Sequence, residues 1–178
     1  MKQANVAEIP EGTIDEDVIS QGIQCTDEDN NLWVLLSQTR DAMYKAREKE
    51  LSKFGVSTMQ AAAMLVIKQA KGPVTPSEIS RWLFREPHSV SGMLSRMESD
   101  GLIKKTKDLG KKNLVRVTLT KKGIIAYTKS KELEPIHRIF SSLSDEQRGN
   151  LKSSLSVLLE KSLEELRTKP KFVPWYHR

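Results

Sequence analysis

From Pro87 to Gly101 the chain can wind one helix with two unlike faces. Val90, Leu94 and Met97 recur at spacings of four and three and make an apolar stripe. Opposite them stand His88, Ser91, Gly92, Ser95 and Ser99, with Ser89 and Arg96 at the margin. These side chains are small or form hydrogen bonds, the chemistry needed to lie against base edges in a major groove. Gly92 is a helix former poorer than Ala by roughly 1 kcal/mol, a cost that a close backbone approach would justify. Arg96 suits a phosphate or a guanine. A Ser-rich solvated surface helix is the plain alternative for this stretch taken alone. The next segment favours the first reading. Residues 104–122 hold Lys104, Lys105, Lys107, Lys111, Lys112, Arg116, Lys121 and Lys122 against Asp108, a net of +7. Lys111 and Lys112 fall in a loop between two short strands, and Arg116 on the second strand. A basic hairpin directly after such a helix belongs against phosphates and the minor groove.

Other chemistry is sparse. His88, His137, His177 and Cys25 have no compact ligand spacing, so no metal or other cofactor is expected. No nucleophile–base set, paired catalytic acid or glycine-rich phosphate loop stands out, and an enzyme is not expected. One cysteine in 178 residues excludes an intrachain disulfide and fits a reducing compartment. The longest uninterrupted apolar run, Ala61–Ile67, is far too short to span a bilayer, and the N-terminus lacks a signal-like apolar region. A cytoplasmic protein with no membrane partner is the expectation. Net charge is +6 but uneven. Residues 1–30 carry Lys2 against Glu8, Glu11, Asp15, Glu16, Asp17, Asp27, Glu28 and Asp29, a net of −7. They read as an acidic arm, either solvated or competing with nucleic acid for the basic face.

The elements that must position these residues follow from periodicity and caps. Leu32, Leu35, Leu36, Thr39, Met43 and Ala46 predict a helix from about Asn31 that fades near Phe54 and Gly55. Ser57 with Gln60 has capping-box spacing and opens a second helix to about Gln69. Lys71-Gly72-Pro73 is a break, and Val74 offers one residue of strand. Thr75-Pro76-Ser77-Glu78 starts a short helix to about Leu83, with Ile79, Trp82 and Leu83 inward. Joined through Phe84-Arg85-Glu86 to the helix at Pro87, it makes a helix-turn-helix. After Gly101 the period drops to two, giving strands near 102–107 and 114–119. Thr120 begins a long helix to about Phe140, kinked by Pro135. Ser144 with Gln147 opens the last helix, striped by Leu151, Leu155, Leu158, Leu159, Leu163 and Leu166. Residues 168–178 form an aromatic-rich tail. The fold class is mainly α with a small β-hairpin wing, a winged helix-turn-helix plus long dimerisation helices. The stripes of the first and last helices are too long for one winged core, which predicts a homodimer.

This order of elements resembles the MarR (multiple antibiotic resistance regulator) family. Met97-Glu98-Ser99-Asp100-Gly101-Leu102-Ile103 is similar to the family's LExxGLI, and Val117-Thr118-Leu119-Thr120-Lys121-Lys122-Gly123 to its VxLTxxG. The resemblance spans about 31–167, with the winged helix near 57–119 and dimerisation helices near 31–54 and 121–167. It implies a homodimer that regulates transcription from a palindromic site on double-stranded DNA, with repression relieved by a small aromatic or phenolic effector. Trp33, Met43, Tyr44, Trp82 and Phe84 are the residues that such an effector would meet, although plain core burial also accounts for aromatics at helical spacing. The family's wing usually holds Asp-x-Arg, where this chain has Lys111 and Asn113. Lys111 or Lys112 would replace the Arg as a looser charge, since Lys lacks the planar fork. Some relatives sense peroxide with a cysteine early in the first helix; Cys25 lies several residues before it. The competing reading is a winged helix used as a protein-interaction or architectural module.

Overall fold

The computed structural model describes residues 27–70, 72–107 and 114–167. In chain order these form α1 (Glu28–Ser52), α2 (Thr58–Gln69), α3 (Pro76–Leu83), α4 (Pro87–Ser99), β1 (Ile103–Lys107), β2 (Val115–Leu119), α5 (Lys121–Ser130), α6 (Glu134–Phe140) and α7 (Asp145–Glu165). The fold is mainly helical with one antiparallel hairpin, as the periodicities predict. Two units, Met1–Arg40 and Asp41–Arg178, divide the chain, and each is taken by itself.

In the first unit, α1 starts at Glu28, three residues before the apolar spacing placed it. The Asp27 carboxylate accepts from the Asp29 and Asn30 N–H groups at 3.0 and 3.4 Å. Asp27 therefore caps the helix, and Glu28 and Asp29 put negative charge where the helix dipole favours it.

The second unit is built around a winged core. Leu51, Met64, Ile79, Leu94, Met97 and Val117 are fully buried, and come from α1, α2, α3, α4 and β2. Each such side chain contributes about 1.5–3 kcal/mol on burial. Met93, one place before Leu94, joins this core, which the spacing of Val90, Leu94 and Met97 did not anticipate. The three capping boxes form as the sequence predicts, at Ser57–Gln60, Thr75–Glu78 and Ser144–Gln147. In the hairpin Ile103 lies opposite Leu119 and Lys107 opposite Val115. Val74 adds a one-residue bridge: the Val117 N–H donates to its carbonyl at 2.7 Å.

The expected single helix from Thr120 to Phe140 is overturned. It ends at Ser130, and Leu133, with φ of 52°, turns the chain into α6. Pro135 sits in the first turn of α6, where its missing N–H costs nothing, so it starts a helix instead of kinking one. The partners that hold this break lie on α1. The Arg47 guanidinium donates to the Ser130 carbonyl and to Glu50. The other Glu50 oxygen accepts the Glu134 N–H at 3.1 Å.

Candidate nucleic-acid interface

The turn before α4 is fixed by a serine. Ser80, buried in α3, donates from its hydroxyl to the Arg85 carbonyl at 2.6 Å, while the Arg85 N–H donates to the Ser80 carbonyl at 3.1 Å. Between them Phe84 adopts a left-handed backbone, φ 49°, a conformation uncommon for a bulky residue. At the other end of α3 the Glu78 carboxylate accepts from the Thr75 N–H at 2.7 Å and from the Thr75 hydroxyl at 2.8 Å. The backbone hydrogen bond, ahead of the opposing burial, holds the Glu78 carboxyl below its ordinary value. Helix α4 thus leaves α3 at a set angle.

On α4 the two faces separate as the spacing predicts. Val90, Met93, Leu94 and Met97 are buried, while His88, Ser89, Ser91, Gly92, Ser95, Arg96 and Ser99 are exposed. A Cβ added at Gly92 would meet nothing within 4 Å, so the bareness there serves no internal packing. No side chain caps the N-terminus of α4. Ser95 is less free than its exposure suggests. Its hydroxyl donates to the Ser91 carbonyl and accepts from the Lys105 ammonium, each at 3.0 Å.

The two segments that carry the family resemblance prove to be one clasp. Helix α4 ends in a Schellman turn: Gly101, at φ 70°, donates its N–H to the Glu98 carbonyl, and Leu102 donates to Met97 at 2.8 Å. Thr120 then ties this turn to the end of β2. Its hydroxyl donates to the Gly101 carbonyl at 2.6 Å and accepts from the Gly123 N–H at 3.0 Å, capping α5. A Cβ on Gly123 would lie 1.9 Å from the Leu102 carbonyl oxygen, so this place admits only glycine. Lys122 donates to the Asp100 carbonyl at 2.7 Å.

The wing is therefore rooted on α4 itself. Glu98 adds a second strut, one oxygen accepting the Lys105 N–H at 2.9 Å and the other lying 3.5 Å from its ammonium. Lys104 and Lys107 are exposed on β1. Arg116 is half-buried and donates to the Pro73 carbonyl at 3.3 Å, which gives this candidate phosphate contact a bracing role as well. Lys111, Lys112 and Cys25 lie outside the described residues. Glu98 and Lys105 were not singled out from sequence; a carboxylate seven residues before a lysine, across a glycine turn, is the signal that could have found them.

The candidate effector residues are dispersed in environment. Trp33 is 66% exposed on the first unit's part of α1. Met43 and Tyr44 are half-buried on the continuation of α1. Trp82 is half-buried against the winged core, and Phe84 is 58% exposed. An open groove of about 340 Å³ lies instead along Ile67, Pro73, Val117, Leu119 and Ile124, with Lys68 on its lining. No described helix is long and apolar enough to cross a membrane.

Comparison with known proteins gives a consistent picture. A model of the MarR family matches residues 54–112. The organic hydroperoxide resistance transcriptional regulator of Bacillus subtilis (strain 168) is 27% identical over 132 residues, covering 74% of this chain and 89% of that protein. The crystal structure of the organohalide-sensing transcriptional regulator RdhR, in its 2,4-dichlorophenol-bound form, is 30% identical with a TM-score of 0.71, over 88% of this chain and 89% of that one. A mutant MarR from E. coli complexed with operator DNA superposes with a TM-score of 0.67 at 21% identity, over 75% of this chain and 99% of that one, a likeness of fold. These relatives are transcriptional regulators, not enzymes.

Proposed function

The chain belongs to the MarR family of transcriptional regulators, and from that premise we propose that it is a homodimeric repressor of a palindromic operator, relieved by a small phenolic ligand. The observation that carries the reading is the exposed face of α4. A bare Gly92 stands among His88, Ser91 and Ser95, on a helix whose root is clasped to a basic hairpin. A protein-binding surface of this size would be expected to offer aromatic or large apolar anchors. This face offers hydrogen bonds and space. The dimer is supported by apolar side chains left uncovered, Leu32 and Leu35 on α1 at 57% and 61% and Leu158 on α7 at 53%. The phenolic ligand is supported by the dichlorophenol-bound relative at 30% identity. Met43, Tyr44, Trp82, Phe84 and Trp33 are its candidate contacts.

Footprinting on the region upstream of the chain's own gene tests this. The expected result is a protected palindrome, with Ser91→Ala or His88→Ala weakening that site by about 1–3 kcal/mol and random DNA far less. 2,4-Dichlorophenol should release the site. Uniform protection of all sequences would instead favour the architectural module, and a stable monomer at micromolar concentration in sedimentation would overturn the dimer.

A further inference from the structure

We propose that Arg47 and Glu50 are positioning residues for operator choice: their buried pair sets the angle at which the winged unit hangs from the C-terminal helices, and so the spacing of half-sites the dimer accepts. This rests on the dimeric operator-binding reading above.

Apolar packing does little to fix that angle. Helix α6 buries none of its residues, and α7 buries only Leu163, which lies outside the winged core. Neither helix is therefore oriented against α5 by a shared core. Three residues separate α5 from α6, and Leu133 among them takes a left-handed backbone. What spans the joint is polar. Arg47 reaches the last carbonyl of α5, at Ser130, and Glu50 takes the first N–H of α6, at Glu134. These are groups a helix end leaves without an internal partner. Each partner has the sign the helix dipole prefers, a cation at a C-terminus and a carboxylate at an N-terminus. Arg47 also donates to Glu50, so one rigid fork couples both helix ends to α1. The two residues are 8% and 9% exposed.

Stability is a weak reason for such a pair. A buried ion pair is often no better than apolar side chains of the same volume, because both charges must leave water. Its particular contribution is direction. If α1 and α7 join two protomers, the joint determines where each α4 stands. One base pair moves a half-site by roughly 3.4 Å along the duplex axis.

The full chain is tested as Arg47→Met with Glu50→Leu, which keeps the joint filled but removes its directed bonds, and as Arg47→Lys, which keeps a charge but loses the fork. Probes are the footprinted duplex and versions with one base pair added or removed at its centre. The parent should prefer its own spacing, and the paired variant, still dimeric in sedimentation, should lose about tenfold of that preference. Its salt dependence on random duplex should not change, because α4 and the wing are intact. A second readout needs no operator. With Cys25→Ser, spin labels at Ser99→Cys on α4 and Ser153→Cys on α7, diluted into unlabelled protein, report one intrachain distance. The parent should give a narrow distribution and both joint variants a broad one. A narrow distribution in Arg47→Lys, or parental spacing preference in a folded paired variant, would overturn the proposal. A parent without a palindromic site would instead defeat the reading on which it rests, and the label distances would still decide whether the pair sets the joint.

Discussion

In α4, Val90, Leu94 and Met97 recur at four and three and are 2%, 0% and 0% exposed; in α7, Leu151, Leu155 and Leu158 recur at the same spacings and are 37%, 39% and 53% exposed. The pattern is the same and the burial is opposite. Periodicity guarantees that a helix presents a stripe, because 3.6 residues per turn align those positions. It does not supply the surface that covers it. Against α4 pack α3 and β1, and the stripe joins one buried cluster within the chain. In α7 the same stripe is exposed among the described residues, and in the proposed dimer a second copy covers it. Two glycines repeat the contrast. Gly92 faces open space, whereas Gly123 lies against the Leu102 carbonyl. The first matters for what approaches from outside, the second for whether the wing closes at all.

The sharpest test of that contrast is the glycine pair. Gly123→Ala should lose about 4 kcal/mol or more of stability, among the largest single-residue losses, because backbone must move to admit the methyl group. Gly92→Ala should gain up to about 1 kcal/mol, since an exposed helical site prefers Ala. Thermal melts of the two variants should shift in opposite directions. Gly92→Leu should also fold, yet lose the specific duplex in a gel-shift titration. Equal melting shifts for the two alanines would dissolve the distinction.

The leucines come next. Leu94→Ala should cost about 2–5 kcal/mol, the usual range for a buried large-to-small change, and the protein that remains folded should still sediment as a dimer. Leu158→Ala should instead raise the concentration below which sedimentation shows the dimer dissociating, because the surface it loses is the one the second copy covers. An unchanged dissociation midpoint at Leu158→Ala would place its cover within the chain.

A smaller effect is expected in the segment between β1 and β2. Replacing Lys111 and Lys112 by Ala should weaken all sequences alike and flatten the salt dependence by about one unit of slope for each phosphate no longer neutralised. An unchanged slope would remove these two lysines from the interface.

The smallest effect concerns Glu78. Its carboxyl is held below the ordinary value, chiefly by the Thr75 N–H. A group lowered in the folded state adds stability above its unfolded pKa, about 4.3, and that stability is lost as pH falls through the folded value. Parent and Glu78→Gln should therefore differ at neutral pH and converge as the pH falls below the ordinary carboxylate range. Curves that stay parallel into acid would show that the charge contributes nothing to the cap.

Much of this was readable from the chain alone. Ser57–Gln60, Thr75–Glu78 and Ser144–Gln147 capped helices where their spacing said they would, since a capping box needs only residues three apart. The two faces of α4 and the single residue of strand at Val74 were likewise legible, because a helical turn and an extended residue are local facts, although the pairing of Val74 with Val117 was not. The length of α5 was not. It ends where Arg47 and Glu50, 83 and 84 residues away in sequence, hold the groups at Ser130 and Glu134. Nor did spacing tell that Ser95 is held by Lys105, or that Gly123 is excluded from any other identity by a carbonyl at Leu102. Bonds within one turn are written in the order of residues; bonds between turns far apart exist only once the chain has folded back on itself, and it is those that fix the wing to its helix and the winged unit to its joint.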